Sequence, residues 1–320
     1  MSPRSLLLAG ALSVTLLLGC SSPPVDPART HPIPAFEVPA PVEGKRYLRA
    51  IVFGDWGTGH PDQHAVAAAM VERVRREGAP LDLMISVGDN FYPRGVSSPE
   101  DPQWQRSFEE VYDAPELAVP VRPCLGNHDA HGSIRAQIAY GKRNPRWQMP
   151  DRYYTWSEEL GGGASIQFFA LDTNDLGAQQ GDAAQLAWLK RELSKSQATW
   201  KVVFGHHPMR SHSKRAYNRE LIERLEPLLV AHGVCLYMAG HDHVLELVKP
   251  VQGVHHLVSG AAAGPVKAYP VTWSDESIYA ATLGGFVWLR VSEDELVLEF
   301  CRMAGETQYA HVLRAKPQGR

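Results

Sequence analysis

Seven residues able to hold a cation lie at or just beyond the ends of short apolar runs: Asp55, Asp89, Tyr92, Asn127, His206, His241 and His243. In Gly88-Asp89-Asn90-Phe91-Tyr92, a carboxylate and, three residues on, a phenol follow the run Leu83-Met84-Ile85-Ser86-Val87. A carboxylate has two oxygens and can bridge two cations, and a phenolate is a hard anionic donor suited to a trivalent one. One such turn is unremarkable, because Asp and Asn favour turns on their own account. Here the pattern of apolar run, glycine and donor occurs five times. The other four are Gly54-Asp55-Trp56-Gly57, Gly126-Asn127-His128-Asp129, Gly205-His206-His207-Pro208 and Gly240-His241-Asp242-His243. Seven donors are too many for one tetrahedral or octahedral ion that keeps a position open. With Asp89 bridging, they divide into two sets of four. Two cations about 3.5–4 Å apart can clamp an in-line displacement at phosphorus.

The apolar runs read as buried strands bounded by glycine turns. Tyr47 to Phe53 and Leu83 to Val87 flank a helix that starts at Pro61, carries Val66, Met70, Val71 and Val74 on one face, and stops at Gly78. That is a β-α-β unit, whose right-handed crossover sets the ends of its two strands side by side. Further strands are expected over Pro120–Leu125, Ser165–Leu171, Trp200–Phe204 and Val234–Ala239. Helices are expected from Asp182 and around Leu221–Val230, and residues 94–117 read as a polar excursion. In open α/β sheets ligands bind at the carboxyl ends of strands, where all five turns fall.

The 320 residues are 44% hydrophobic, enough for a sizeable core, and the net charge of −3 gives no electrostatic reason to bind nucleic acid or an anionic membrane. Residues 1–20 read as a targeting segment: Arg4 supplies the positive flank and Leu6 to Leu18 an apolar core too short to span a bilayer. The sequence Leu17-Leu18-Gly19-Cys20 resembles a bacterial lipoprotein cleavage box, which implies a lipid on Cys20 and, with Ser21 next, an outer-membrane destination facing the periplasm or the exterior. Residues 21–45 are Pro-rich and read as a semi-extended spacer. Residues 46–315 read as a single domain, expected to be the catalytic one. Cys124, Cys235 and Cys301 lie in apolar strand-like runs and read as buried thiols rather than a disulfide framework.

In this order, the five motifs resemble the calcineurin-like metallophosphoesterases, and Tyr92 narrows the resemblance to the purple acid phosphatases. The similarity to the mammalian-type branch extends to Arg106-Ser107-Phe108-Glu109-Glu110-Val111-Tyr112, Ala136-Gln137-Ile138-Ala139-Tyr140, Leu171-Asp172-Thr173 and Gly240-His241-Asp242-His243-Val244. It implies a four-layer α/β/β/α sandwich of two mixed sheets, α/β in class, with the metals at its edge. It also implies Fe(III) on Asp55, Tyr92, His243 and bridging Asp89. The second ion, Fe(II), Zn(II) or Mn(II), would share Asp89 and take Asn127, His206 and His241. The activity implied is acid hydrolysis of phosphate monoesters by a metal-bound hydroxide; a monomer is the expected state.

His128 is placed to donate to a phosphoryl oxygen or to the leaving alkoxide. The chain departs from the mammalian-type pattern at His207, which stands where those enzymes have Tyr. Their further histidine has no same-spaced counterpart: Arg215 occupies that offset and His212 lies slightly earlier. The leaving-group acid is therefore open among His128, His207 and His212. The segment between Asp172 and Asp182 is shorter than the mammalian regulatory loop, which implies a more open site. A phosphodiesterase or nucleotide pyrophosphatase on the same centre is the alternative, to be decided by pocket walls such as Trp56, Tyr92, His207 and Arg210. A catalytically silent binding lipoprotein would show a degraded donor set, and none of the seven is missing.

Overall fold

The computed structural model describes residues 33–176, 182–215, 217–263 and 270–315. The expected signal segment, Cys20 and residues 21–32 of the spacer lie outside these, as do residues 177–181 of the shortened loop. The first half of the chain runs β1 (Leu48–Phe53), α1 (Pro61–Glu77), β2 (Leu83–Ser86), α2 (Pro102–Trp104), β3 (Val121–Pro123), α3 (Asn127–Ala130), α4 (Ile134–Tyr140), β4 (Tyr154–Gly161) and β5 (Ala164–Ala170). The second half runs α5 (Ala183–Lys195), β6 (Trp200–Phe204), α6 (Arg219–Ala231), β7 (Leu236–Ala239), β8 (Leu245–Val251), β9 (Val254–Ser259), β10 (Ser277–Ala281), β11 (Gly285–Val291), β12 (Glu295–Arg302) and β13 (Thr307–Arg314).

The strands form two mixed sheets, ordered β13-β12-β11-β1-β2-β3 and β10-β8-β9-β7-β6-β5-β4. Period-two alternation in the second sheet decides its two faces. Ile166, Phe168, Val202, Phe204, Leu236 and Met238 join the core shared with the first sheet. Their neighbours Phe169, Val203, Tyr237 and Ala239 join a second core with Leu189 and Leu193 of α5 and Leu221, Leu225 and Leu229 of α6. Helix α1 covers the outer face of the first sheet, where the Arg73 guanidinium lies 4.3 Å over Trp288. The result is the four-layer α/β/β/α sandwich.

The parallel strands β1, β2 and β3 of one sheet and β5, β6, β7 and β9 of the other supply the exits that matter. Behind them stands an aromatic cluster of Trp56, Phe91, Trp104, Phe108, Tyr112 and Trp147. Part of it comes from the stretch read as a polar excursion. There α2 continues into a π turn over Gln105–Glu109 that buries Phe108. Alternating polar and aromatic residues hid this helix, because two turns carry too few apolar positions to show a period.

The described end of the spacer, residues 33–44, has no helix or strand but is not detached. Ile33 packs on the core, Phe36 meets the Tyr309 ring edge-on at 5.7 Å, and the buried Arg290 guanidinium donates to the Pro39 carbonyl. No helix among the described residues is long and apolar enough to cross a membrane. Cys124 and Cys301 are buried and Cys235 is half-buried, and among the described residues no disulfide joins them.

Candidate metal centre

Each donor-bearing turn is the exit of a strand, and the chain must bend sharply there. Asp55, Asp89 and His241 all have positive φ (57°, 49° and 67°), three of the four non-glycine residues in that region among the described residues. Such backbone costs of order 1–3 kcal/mol per residue and persists only where the surroundings enforce it. The bonds that enforce it run between the turns: Asp55 N–H donates to Gly88 O at 2.9 Å, and His241 N–H to Asp55 Oδ2 at 2.8 Å. The glycines make room for this. A Cβ on Gly126 would lie 2.1 Å from Asp89 Oδ1, and one on Gly240 would lie 2.5 Å from Asp55 Oδ2.

The seven donors converge. Tyr92 Oη lies 3.1 Å from Asp55 Oδ1, 3.0 Å from Asp89 Oδ2 and 3.2 Å from His243 Nε2, while His243 Nε2 is 3.3 Å from Asp55 Oδ1. On the other side, His206 Nε2 lies 3.3 Å from Asp89 Oδ2, 3.1 Å from Asn127 Oδ1 and 3.2 Å from His241 Nδ1. Two sets of four therefore share Asp89. The sequence reading gave Asp89 the bridge because a carboxylate has two oxygens. In the structure both sets lie around Oδ2, and Oδ1 accepts the His128 amide at 2.8 Å.

The donor chemistry fits cations. His206 Nδ1 is 3.0 Å from the Val87 carbonyl, so its N–H is spent there and Nε2 faces the oxygens of Asp89 and Asn127, the nitrogen that would give its lone pair to a cation. The single Tyr92 proton likewise cannot serve three acceptors. Donors about 2.1 Å from one ion stand roughly 3.0–3.4 Å apart, matching the observed separations. Burial, then the carboxylates of Asp55 and Asp89, hold the Tyr92 phenol well above its ordinary range. Burial opposes a charged His206, yet Asp89 and Asp55 outweigh it and bring the ring to about 9. Asp55, Asp89 and His206 also bring their ligating atoms within 4.8 Å of one another.

Several residues the sequence reading passed over hold the turns in register. Asp129 is buried and accepts from the backbone N–H of Asn90 and Gly126 and from the side chains of Asn90 and Gln137. Thr173 Oγ1 accepts the amides of His206 and His207. Asn90 and Asp129 stand inside the motifs beside the donors, a signal that was available. Thr173 carried none beyond the Leu171-Asp172-Thr173 match.

The other predicted residues separate. His128 is part-exposed, with its ring 4.4 Å from that of Tyr92 and Nε2 3.9 Å from Asp89 Oδ2. His207 is held through Nδ1 by Thr173 Oγ1 at 2.9 Å and packs on His241. Burial first, then His206 and Arg215, bring His207 down to about 3, so it is neutral in mild acid. His212 is engaged elsewhere: Nδ1 is 2.6 Å from Glu246 Oε1, and Nε2 is 2.9 Å from Tyr217 Oη.

Two of the suggested pocket walls are not walls. Trp56 is fully buried and donates to Ser86 Oγ at 2.8 Å. Arg210 is clamped bidentately by Glu226 at 2.8 and 2.9 Å.

The Arg210–Glu226 pair has a pH signature. Burial raises Glu226, but His256 and Arg210 overcome it and hold the carboxyl at about 2, against its ordinary 4.5. A depressed carboxyl stabilises fully above its unfolded value, and the contribution disappears as pH falls from about 4.5 to about 2. Glu226→Gln is expected to lower Tm at neutral and mildly acidic pH, with the gap from wild type closing toward pH of about 2 in a thermal-melt series. A gap that stayed constant with pH would contradict this.

Known proteins resemble this chain closely. A family profile described as calcineurin-like phosphoesterase matches residues 48–245. Tartrate-resistant acid phosphatase type 5 of Homo sapiens is 32% identical over 303 residues, covering 84% of this chain and 92% of the relative. Purple acid phosphatase 17 of Arabidopsis thaliana is 31% identical over 333 residues, covering 95% of each. Among solved structures, a Plasmodium protein titled as GAP50, the anchor in the inner membrane complex, superposes with a TM-score of 0.77 at 26% identity, covering 85% of this chain and 90% of that one.

Proposed function

Because this chain belongs to the purple acid phosphatases, within the calcineurin-like phosphoesterases, and is a binuclear-metal acid phosphatase, we propose how its residues divide the work. Asp55, Tyr92, His243 and Asp89 hold Fe(III). Asp89, Asn127, His206 and His241 hold a divalent ion, with Fe(II), Zn(II) and Mn(II) all suited to one oxygen amide and two imidazoles. The observation that carries this reading is Asp89 Oδ2, which lies 3.0 Å from Tyr92 Oη of one donor set and 3.3 Å from His206 Nε2 of the other. When bound, the cation pair lowers the pKa of water and neutralises phosphate oxygens in an in-line displacement.

The chain's own residues orient and protonate. Val87 fixes the tautomer of His206, and the His128 amide fixes Asp89 through Oδ1. His128 Nδ1 is 2.7 Å from the Pro93 carbonyl, to which it donates, leaving Nε2 over the mouth of the site to hold the proton the leaving alkoxide needs. His207, neutral in mild acid, is a pocket contact rather than a proton donor. His212 serves by fixing Tyr217. Replacing His128 by Ala is then expected to slow alkyl phosphate hydrolysis by about 10²–10⁴ and p-nitrophenyl phosphate hydrolysis much less, since a good leaving group needs no proton. Equal losses on both substrates would assign His128 to positioning instead.

The substrates are phosphate esters. Comparing turnover of p-nitrophenyl phosphate with its bis ester tests the monoester reading, and faster hydrolysis of the diester would favour the phosphodiesterase alternative.

The lipid anchor on Cys20 and the outer-membrane address are supported by the sequence Leu17-Leu18-Gly19-Cys20-Ser21. Cys20→Ser is expected to lose palmitate labelling and move the enzyme to the soluble fraction. Unchanged labelling would reject the anchor.

A further inference from the structure

We propose that Thr173 fixes His207 in the tautomer with its proton on Nε2, and that this N–H donates to an oxygen of the phosphate ester held at the centre. The inference rests on the metal-centre reading and adds a substrate contact to it. Thr173 Oγ1 accepts the amides of His206 at 3.2 Å and His207 at 3.0 Å, and it lies 2.9 Å from His207 Nδ1. A hydroxyl has two lone pairs and one hydrogen. The two amides take both lone pairs, so the hydrogen is what meets Nδ1, and Nδ1 accepts it. An imidazole that accepts through Nδ1 is neutral and carries its proton on Nε2. Thr173 is buried, which leaves its hydroxyl no solvent alternative.

The backbone that carries the ring is held as well. Tyr237 on β7 is buried and donates from its hydroxyl to the His207 carbonyl at 2.7 Å. Gly205 admits Thr173, since a Cβ there would lie 2.4 Å from Thr173 Cγ2. Among the described residues the ring's only hydrogen bond is the one to Thr173. With Nδ1 turned that way, His207 meets a cavity of about 210 Å³ by its other edge, which carries Nε2; Pro208, Asn218 and His241 also wall it. His206, His207 and His241 bring ligating nitrogens within 4.8 Å of one another, so a three-imidazole cation site is the rival reading. Thr173 decides against it. A ligating Nε2 moves the proton to Nδ1, and Thr173 Oγ1 would then face three N–H groups with two lone pairs. A donor that keeps its proton suits an anionic phosphate oxygen instead, and one already oriented needs no rearrangement when the ester binds.

The test pairs nitrogen NMR with calorimetry. In the zinc-loaded full chain carrying isotope-labelled histidine, His207 is expected in the Nε2–H form alone, its signals identified by their disappearance in His207→Gln. Thr173→Val should add the Nδ1–H form, and Thr173→Ser, which keeps the hydroxyl, should not. An Nδ1–H signal in wild type, or a pure Nε2–H form in Thr173→Val, overturns the lock. When inorganic phosphate is titrated into cation-loaded protein, His207→Phe is expected to bind about tenfold more weakly than wild type, with His207→Gln, which keeps an N–H, recovering part of the loss. KM should rise more than kcat falls. Wild-type phosphate affinity in His207→Phe overturns the contact, and so does a lower cation affinity in either variant, which would make His207 a ligand. If cation-loaded wild type binds no phosphate, the metal-centre reading itself fails and the contact with it, whereas the tautomer is read without phosphate.

Discussion

Asp89→Asn should cost the protein both its cations and its turnover. The carboxylate is 98% buried by residue, and its Oδ2 faces Tyr92 at 3.0 Å on one side and His206 at 3.3 Å on the other. Burial opposes the charged form, yet His206 and then the His128 amide overcome it and keep Asp89 well below the ordinary carboxylate range. An amide in its place presents either a neutral oxygen or an N–H to two cations, so both donor sets lose their shared anion. The Lewis-acid contribution at stake is several kcal/mol, which corresponds to about a thousandfold or more in rate. Metal analysis of the purified variant beside its p-nitrophenyl phosphate turnover checks both halves. Full cation content with wild-type turnover would remove Asp89 from the centre.

Tyr92→Phe is expected to abolish the visible colour while leaving the fold in place. The proposed ferric ion takes the phenolate as its charge-transfer partner, and Phe offers no oxygen. The ring's packing is conserved by the substitution: Tyr92 lies tilted against His128 at 4.4 Å and edge-on to His243 at 6.1 Å, contacts that Phe retains. What disappears is the oxygen that links Asp55, Asp89 and His243. Far-ultraviolet circular dichroism should be unchanged and the visible band absent. An unaltered visible spectrum in Tyr92→Phe would remove the ferric–tyrosinate assignment.

Both results follow from donors separated by long stretches of chain, and the fold explains why they meet. The β1-α1-β2 unit was legible because Pro61 starts the helix, Gly78 stops it, and Val66, Met70 and Val74 mark one face. The helix indeed spans Pro61–Glu77 with Gly78 as its left-handed cap. The exits of β6 and β7 were legible for a similar reason, each being an apolar run that ends at a glycine. The turn through α2 was not, since a helix of a few residues has no period to detect and its stability comes from Phe108 and Trp104 packing on Trp56, Phe91 and Trp147.

Pocket walls were the least legible part. Trp56 follows Asp55 directly, and successive side chains along extended backbone turn to opposite sides, so the neighbour of an inward donor points away from it. Trp56 consequently enters the aromatic cluster, while Arg210, four residues past His206, turns to Glu226 on α6. Asp129 and Thr173 show the reverse case: buried polar groups that accept the backbone amides of Asn90, Gly126, His206 and His207.

The identities of the seven candidate donors and their place after apolar runs were legible in the sequence by itself, while their allotment to two sets about Asp89 came from the resemblance to the purple acid phosphatases. Residue type fixes what an atom can bind, and a glycine after an apolar run fixes where the chain turns; both are local properties. Only the tertiary structure decided that a single oxygen of Asp89 faces both sets, that His212 belongs to Glu246 while His128 overhangs the centre, and that Thr173 holds the His207 ring. Those are relations between residues on different strands and sheets, set by how the two cores pack, and no spacing along the chain encodes them.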